Sequence, residues 1–353
     1  MEVALELYRQ QAPLLELRQE LEAAAIKLGH SSWVELEFQE VFVREILEND
    51  LSQEFPGDVF YRRRLLRVLL DDVETQCEVA ADGVLAALLE CGCSPGPDDN
   101  LACYQCYCLE GMAPLVLRVV PRGNEVGLRV WEAGLFLAEY CMSHPQLYAG
   151  KRCLELGAGP GITGLACAAC CSPSSVTLTD SIPVVIANAR LNAELNCERG
   201  LWDEATAVDA MALDWEDFQP ADLAGYDMIL GADVAYDMGA NAHLVKVMIS
   251  ALERNPLASV HLASTIRNKA TFNLLIEDLE KHPEVEFTDV TEEAQQTESR
   301  WFYKGRDTIS LIVIRASREM EKGGGAGKER SQNKGNASSR ARQRPGVVPE
   351  QKK

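Results

Sequence analysis

The sequence predicts an α/β fold, an open and mostly parallel sheet with helices on both faces, preceded by a helical domain. Three observations predict it. From Arg152 onward, short apolar runs alternate with helical ones, as in a sheet whose strands are joined by helical crossovers. The first ninety or so residues carry helical periodicity only. At the start of that alternation, LELGAGPGITGL (154–165) passes from an apolar strand directly into glycines at alternate positions, Gly157, Gly159 and Gly161.

Residues 2–28 place Leu14, Leu15, Leu17, Leu21 and Ala25 at near-helical spacing, with Gly29 as the stop. WVELEFQEVFVREILEND and VFYRRRLLRVLLDDVETQ repeat the pattern, and DGVLAALLECG adds a short helix. The turn formers of CSPGPDDN (93–100) close this domain. CYQCYCLE and PLVLRVVP then read as a β-hairpin, and VWEAGLFLAEYCMSHP as an amphipathic helix from Trp131 to about Ser143. Seven strands follow: RCLEL, SVTLTD, ATAVDAM, YDMILGAD, SVHLAST, VEFTDV and TISLIVIRA. The last two have no helical pattern between them and are expected to form an antiparallel hairpin at one edge. The predicted organisation is a helical domain over 1–95, a hairpin region over 96–130, the α/β domain over 131–315 and a disordered basic tail over 316–353.

The net charge of −20 conceals a division. Residues 316–353 hold ten Lys or Arg against four Glu, so the rest of the chain carries −26. An acidic body disfavours a substrate held through phosphates and suits a basic protein surface. The tail, with its RARQR run, is the one segment suited to weak nucleic acid contact or a nuclear signal, although a solvated tail is the simpler reading. No apolar stretch is long enough for a membrane span, and MEVALELYRQQ lacks the progression of a secretory leader. The twelve cysteines are therefore expected to be reduced, in cytoplasm or nucleus.

In an open α/β sheet the loop after the first strand passes closest to the ligand, and glycines there let the backbone approach it. The dinucleotide fingerprint would need glycine at 162, where Ile162 stands, and no GK followed by Ser or Thr exists for a phosphate loop. Pro160 also removes a donor where a pyrophosphate would want one. A nucleoside without phosphates fits better, and S-adenosylmethionine is such a ligand. Glu155 lies at the end of the first strand and Asp180 ends the second, where an acid can accept both ribose hydroxyls; Asp214 and Trp215 follow the third, where an indole can flank adenine; Ala232 and Asp233 end the fourth.

These motifs resemble the seven-strand protein-lysine methyltransferases: the glycine-rich first strand, Trp131 at the start of the preceding helix, LDW after the third strand and ADVAY at the end of the fourth. The helical N-terminal region, the WEAGLFLAEY helix and the STIRNKATFNLL segment resemble the elongation factor 2 lysine methyltransferases in particular, over about residues 35–315. The resemblance implies a Rossmann-like seven-strand fold and S-adenosylmethionine as cofactor. It further implies cofactor contacts from Trp131, Gly157, Ala158, Gly159, Trp215 and Ala232, a lysine entrance lined by Asp233 and Tyr236, and elongation factor 2 as protein substrate. The sequence departs from those relatives at PRGNEVGLRV, where they carry a serine- and threonine-rich loop, and in its basic tail.

A neutral lysine nitrogen must meet the methyl carbon in line, so positioning is the main requirement. Asp233 is expected to attract and orient the incoming ammonium, and Tyr236 either shapes the channel or packs in the core. Two rivals stay open: a methyltransferase of the same fold acting on a small molecule, an arginine or a histidine, and a catalytically inactive cofactor-binding adaptor. Cys91, Cys93, Cys103, Cys106 and Cys108 invite a zinc site, but only Cys103 and Cys106 have ordinary ligand spacing and no histidine is near, so free thiols are expected and no metal. Arg62, Arg63, Arg64 and Arg67 read as a solvated or ion-paired helix face, and His144 as a helix end.

Overall fold

The computed structural model describes residues 1–93, 101–203 and 205–317, which form two compact units. Most of the turn-forming stretch at 94–100 and the basic tail from 318 lie outside the described residues.

The first unit comprises residues 1–129 with 194–201 and 300–303. Its helices are α1 (Glu2–Gln10), α2 (Leu14–Lys27), α3 (Leu36–Phe42), which runs into a π turn over Val43–Leu47, α4 (Asp50–Glu54), α5 (Val59–Thr75) and α6 (Asp82–Cys93). The helical stretch read over 2–28 is two helices. Gln11 adopts a left-handed φ of 56° and Pro13, which cannot continue a helical ladder, precedes the first turn of α2. The chain redirects so that Leu17 and Leu21 are buried while Leu15 is exposed. Leu17, Leu21, Phe38, Ile46, Leu65, Leu66 and Leu69 are completely buried and build this unit's core. The hairpin pairs β1 (Cys103–Tyr107) with β2 (Leu115–Val119) antiparallel. On α5, Arg62 pairs with Glu90 at 3.4 Å and Arg63 donates to the Cys91 carbonyl, so part of the arginine run is spent inside the unit.

The second unit opens with α7 (Glu132–Ser143) and builds one sheet from β3 (Arg152–Leu156), β4 (Ser175–Asp180), β5 (Ala207–Ala212), β6 (Met228–Ala232), β7 (Ser259–Thr265), β8 (Val285–Asp289) and β9 (Ile309–Ala316). The strand order is β5-β4-β3-β6-β7-β9-β8. The first five strands are parallel, and β9 runs antiparallel to both β7 and β8. The last two strands pair antiparallel at one edge as expected, but they are not directly consecutive. A short helix, α12 (Thr291–Gln295), lies between the last two strands, and β9 inserts beside β7, leaving β8 at the edge.

The remaining helices are α8 (Ile162–Cys171), α9 (Pro183–Glu198), α10 (Met238–Arg254) and α11 (Lys269–Glu280). The apolar alternation of the strands assigns the faces. Leu154, Ile229, Val260, Leu262 and Ile312 pack with Leu244, Met248 and Leu252 of α10 and Leu275 of α11. The residues between them turn to α7 and α8: Glu155 bonds to the α8 backbone, and His261 lies against Tyr140 of α7. α7 and α8 approach closely at Gly134, where a Cβ would stand 2.9 Å from Ile162. Glu139 of α7 is fully buried and paired with Arg306, whose guanidinium also donates to Thr297. Among the described residues no helix is long and apolar enough to cross a membrane.

Candidate functional site

The strand order reverses between β3 and β6, so the connections that follow these neighbours lead away in opposite directions and leave a crevice at their carboxyl ends. The glycine turn lies there. Gly157, Gly159 and Gly161 have φ of +59°, +56° and +92°, a conformation in which an L side chain crowds the following carbonyl, which accounts for glycine at alternate positions. Space adds a second constraint at Gly157, where a Cβ would stand 2.7 Å from Val234 Cγ1.

The turn is fastened from beneath. The Ala158 amide donates to the Thr179 carbonyl at 2.8 Å, Thr179 Oγ1 donates to the Glu155 carbonyl at 2.6 Å, and Asn192 Nδ2 donates to the Pro160 carbonyl at 2.9 Å. Glu155 itself departs from its expected place against the cofactor. Its carboxylate is 3% exposed and accepts the Gly164 amide at 2.9 Å, with Thr163 as a second bonding partner, so it secures the first turn of α8 from the core side. Burial pushes its pKa up to about 7 against the lowering effect of those two bonds.

The other acids border the crevice. Asp180 is the last residue of β4, and its Oδ1 accepts the Ile182 amide at 3.1 Å, which turns the chain toward α9. Asp214 follows β5, is exposed and accepts the Glu216 amide at 2.9 Å. Trp215 is half-buried, and its ring edge lies 3.5 Å from where a Gly157 Cβ would stand. Ala232 closes β6, paired with Ala263 of β7.

Asp233 follows with φ 53°, in the left-handed region although it is not glycine. The strain is offset by a dense set of bonds. Thr265 donates to its carboxylate twice, from the amide at 2.8 Å and the hydroxyl at 3.0 Å, and the Ala133 amide in the first turn of α7 adds a contact at 3.4 Å. Arg267 completes the set at 3.2 Å, and the carboxylate is 7% exposed. Asp233 was expected to meet an incoming ammonium; the structure shows a cation of the chain already beside it. The same guanidinium donates to Glu132 at 2.6 Å and lies 5.0 Å from the ring centroid of Trp131, which is 36% exposed just ahead of α7.

Beside Asp233 is a cavity of about 180 Å³, lined by Ala235, Tyr236, Ser264, Thr265, Arg267 and Phe272 among others. Tyr236 is 70% exposed, which removes its core-packing reading. Arg267, Glu132 and Thr265 had no assigned role in the sequence reading. STIRNK was visible as a motif, but its bonds reach back 32 to 135 positions along the chain.

Cys103 and Cys106 are buried in the hairpin, and burial raises both thiols to about 11, away from the thiolate form a metal requires. Among the described residues no three His, Cys, Asp or Glu side chains gather for a metal; the side chain of Cys93 lies outside that set. His144 ends α7, with Nδ1 2.9 Å from the Tyr140 carbonyl.

A doubly wound sheet with a bare turn and acids at its switch point defines a Rossmann-like protein with a nucleoside-type crevice. A lysine methyltransferase family profile matches residues 118–282. A mouse protein named Protein-lysine N-methyltransferase EEF2KMT is 31% identical over 240 residues, which are 63% of this chain and 69% of the relative. A bovine protein of the same name is 29% identical over 277 residues, 72% of this chain and 80% of its own. Protein-lysine N-methyltransferase EFM3 of Chaetomium thermophilum is 28% identical over 242 residues, 61% and 71% respectively. The chain belongs to the protein-lysine methyltransferases, enzymes that take their methyl group from S-adenosylmethionine.

The residues present fit that cofactor. The turn at Gly157 leaves space that any side chain would fill, Asp180 and Asp214 offer carboxylates at adjoining strand ends, and the Trp215 ring borders the same turn.

Proposed function

We propose that this methyltransferase modifies a lysine of elongation factor 2, and that the lysine enters through the cavity beside Asp233. The acceptor reading is supported by the relatives named EEF2KMT and by the WEAGLFLAEY and STIRNKATFNLL segments. The single observation that carries the entrance is the cavity itself. Phe272, Ala235 and Tyr236 suit the methylenes of a lysine, while the carboxylate of Asp233 suits its nitrogen.

Each residue then has a task. Gly157, Ala158 and Gly159 admit the cofactor against bare backbone, with Asp180 and Asp214 for its ribose side and Trp215 for its adenine. Ala232 keeps the floor low, and Trp131 forms a wall at the start of α7. Asp233 orients the nitrogen, and Tyr236 narrows the mouth of the channel. The bound cofactor supplies an electrophilic methyl carbon on a positive sulfur. The chain supplies alignment, water exclusion and surroundings in which the lysine can lose its proton. A cytoplasmic place of work goes with that acceptor, and the basic tail keeps a nuclear one open.

Purified protein incubated with methyl-labelled S-adenosylmethionine and purified elongation factor 2 tests the acceptor. The expected result is label on one lysine of the factor by peptide mass spectrometry. Label that appears on other proteins of a cytosolic extract and never on the factor would overturn the acceptor while leaving the class intact.

A further inference from the structure

We propose that Arg267 sets the charge of the transfer site and is thereby a positioning residue for the reaction; the inference rests on reading the cavity beside Asp233 as the lysine entrance. Arg267 lies between β7 and α11. Its guanidinium bridges Glu132, in the first turn of α7, and Asp233, after β6, while facing the Trp131 ring. Three stretches of chain meet through this one guanidinium.

The charge count gives the cluster its function. Two carboxylates against one guanidinium leave one uncompensated negative charge. Other ionisable neighbours do not alter the sum: Tyr236 contributes a phenol to the cavity, and the negative charge of Asp237, whose carboxylate caps α10 through the Gly239 amide at 2.7 Å, is matched by the positive charge of Lys269 at the start of α11. With the positive sulfur of the cofactor present, the site is balanced. An ammonium then adds an unbalanced positive charge, and surroundings of that kind lower an amine pKa. Without Arg267 the two carboxylates would hold the lysine protonated, where it binds well and cannot react. Asp233 would keep its three other donors, from Thr265 and Ala133, so its place does not depend on Arg267.

Two variants and two readouts test this. Arg267→Met removes the charge and keeps the stem; Arg267→Lys keeps the charge. S-adenosylmethionine and S-adenosylhomocysteine differ by one positive charge at sulfur, so their calorimetric affinity ratio reads the local potential without any acceptor. Arg267→Met is expected to shift that ratio about tenfold toward S-adenosylmethionine, with Arg267→Lys close to the parent. In single-turnover transfer to elongation factor 2, the acid limb of the Arg267→Met pH profile moves up by about one unit. The rate at pH 7.5 falls about tenfold while the acceptor KM does not rise. An unchanged ratio with a profile merely scaled down at every pH would overturn the proposal. Phe272→Ala separates it from the reading beneath it: an unchanged acceptor KM in that variant overturns the lysine entrance, whatever the Arg267 variants show.

Discussion

The carboxylate of Glu155, the fourth residue of β3, accepts the amide of Gly164, in the first turn of α8, at 2.9 Å, so the acid of the strand fastens the helix that follows it. The bond bridges the whole glycine turn from below. Burial of that carboxylate makes stability depend on pH.

Glu155 has a folded pKa of about 7, above its ordinary value of 4.5, so the folded state favours its protonated form. The associated stability is fully present below pH 4.5 and is lost as the pH rises through 7. On the order of 3 kcal/mol separates the two limits. Glu155→Gln keeps an acceptor for Gly164 and does not titrate. Urea unfolding at pH 5 and pH 8 should show a smaller difference for the variant than for the parent; equal differences would exclude Glu155 as the source.

Glu139 and Arg306 form a pair whose acid is wholly buried. Removing one partner strands a charge in a low-dielectric core. Arg306→Met or Glu139→Gln should therefore cost roughly 3–5 kcal/mol in denaturant unfolding. The double variant, with no charge left unpaired, is expected to lose less than the sum of the two single losses.

Gly157→Ala places a methyl 2.7 Å from Val234 Cγ1 in a backbone conformation of φ +59°. The conformation alone costs about 1–2 kcal/mol, and the added group intrudes on the turn proposed to admit the cofactor. Calorimetry should show at least tenfold weaker binding of S-adenosylhomocysteine. Combining it with Val234→Ala relieves the contact but not the strain, so recovery should be partial.

Tyr236 is 70% exposed, so Tyr236→Ala should change stability by no more than about 0.5 kcal/mol. As a channel wall, its loss should raise the acceptor KM severalfold and leave cofactor affinity near the parent value. A large drop in melting temperature would return Tyr236 to a packing role.

Much of the site was legible in local spacing, because a strand ending in alternate glycines needs only its own neighbours to reveal a positive-φ turn. The places of Asp180, Asp214 and Trp215 at the ends of recognisable strands were legible for the same reason. Glu155 was misplaced because strand alternation gives a side chain's face only when the covering layer is known, and α8 covers that face. Arg267 was missed because its bonds to Glu132 and Asp233 join distant positions, and nothing in STIRNK by itself shows what it meets.

By itself the sequence determined the seven strands of the sheet, the bare turn after β3 and the class of ligand that turn admits, since each depends on a local apolar period or on one residue's allowed φ. Tertiary structure alone decided that β9 inserts between β7 and β8, that Glu155 serves the helix from the core side, and that Asp233 shares its charge with Arg267 and Glu132. The reason is physical: strand partners and ion pairs are chosen by which surfaces meet once the helices cover the sheet, and no stretch of chain holds both halves of such a contact.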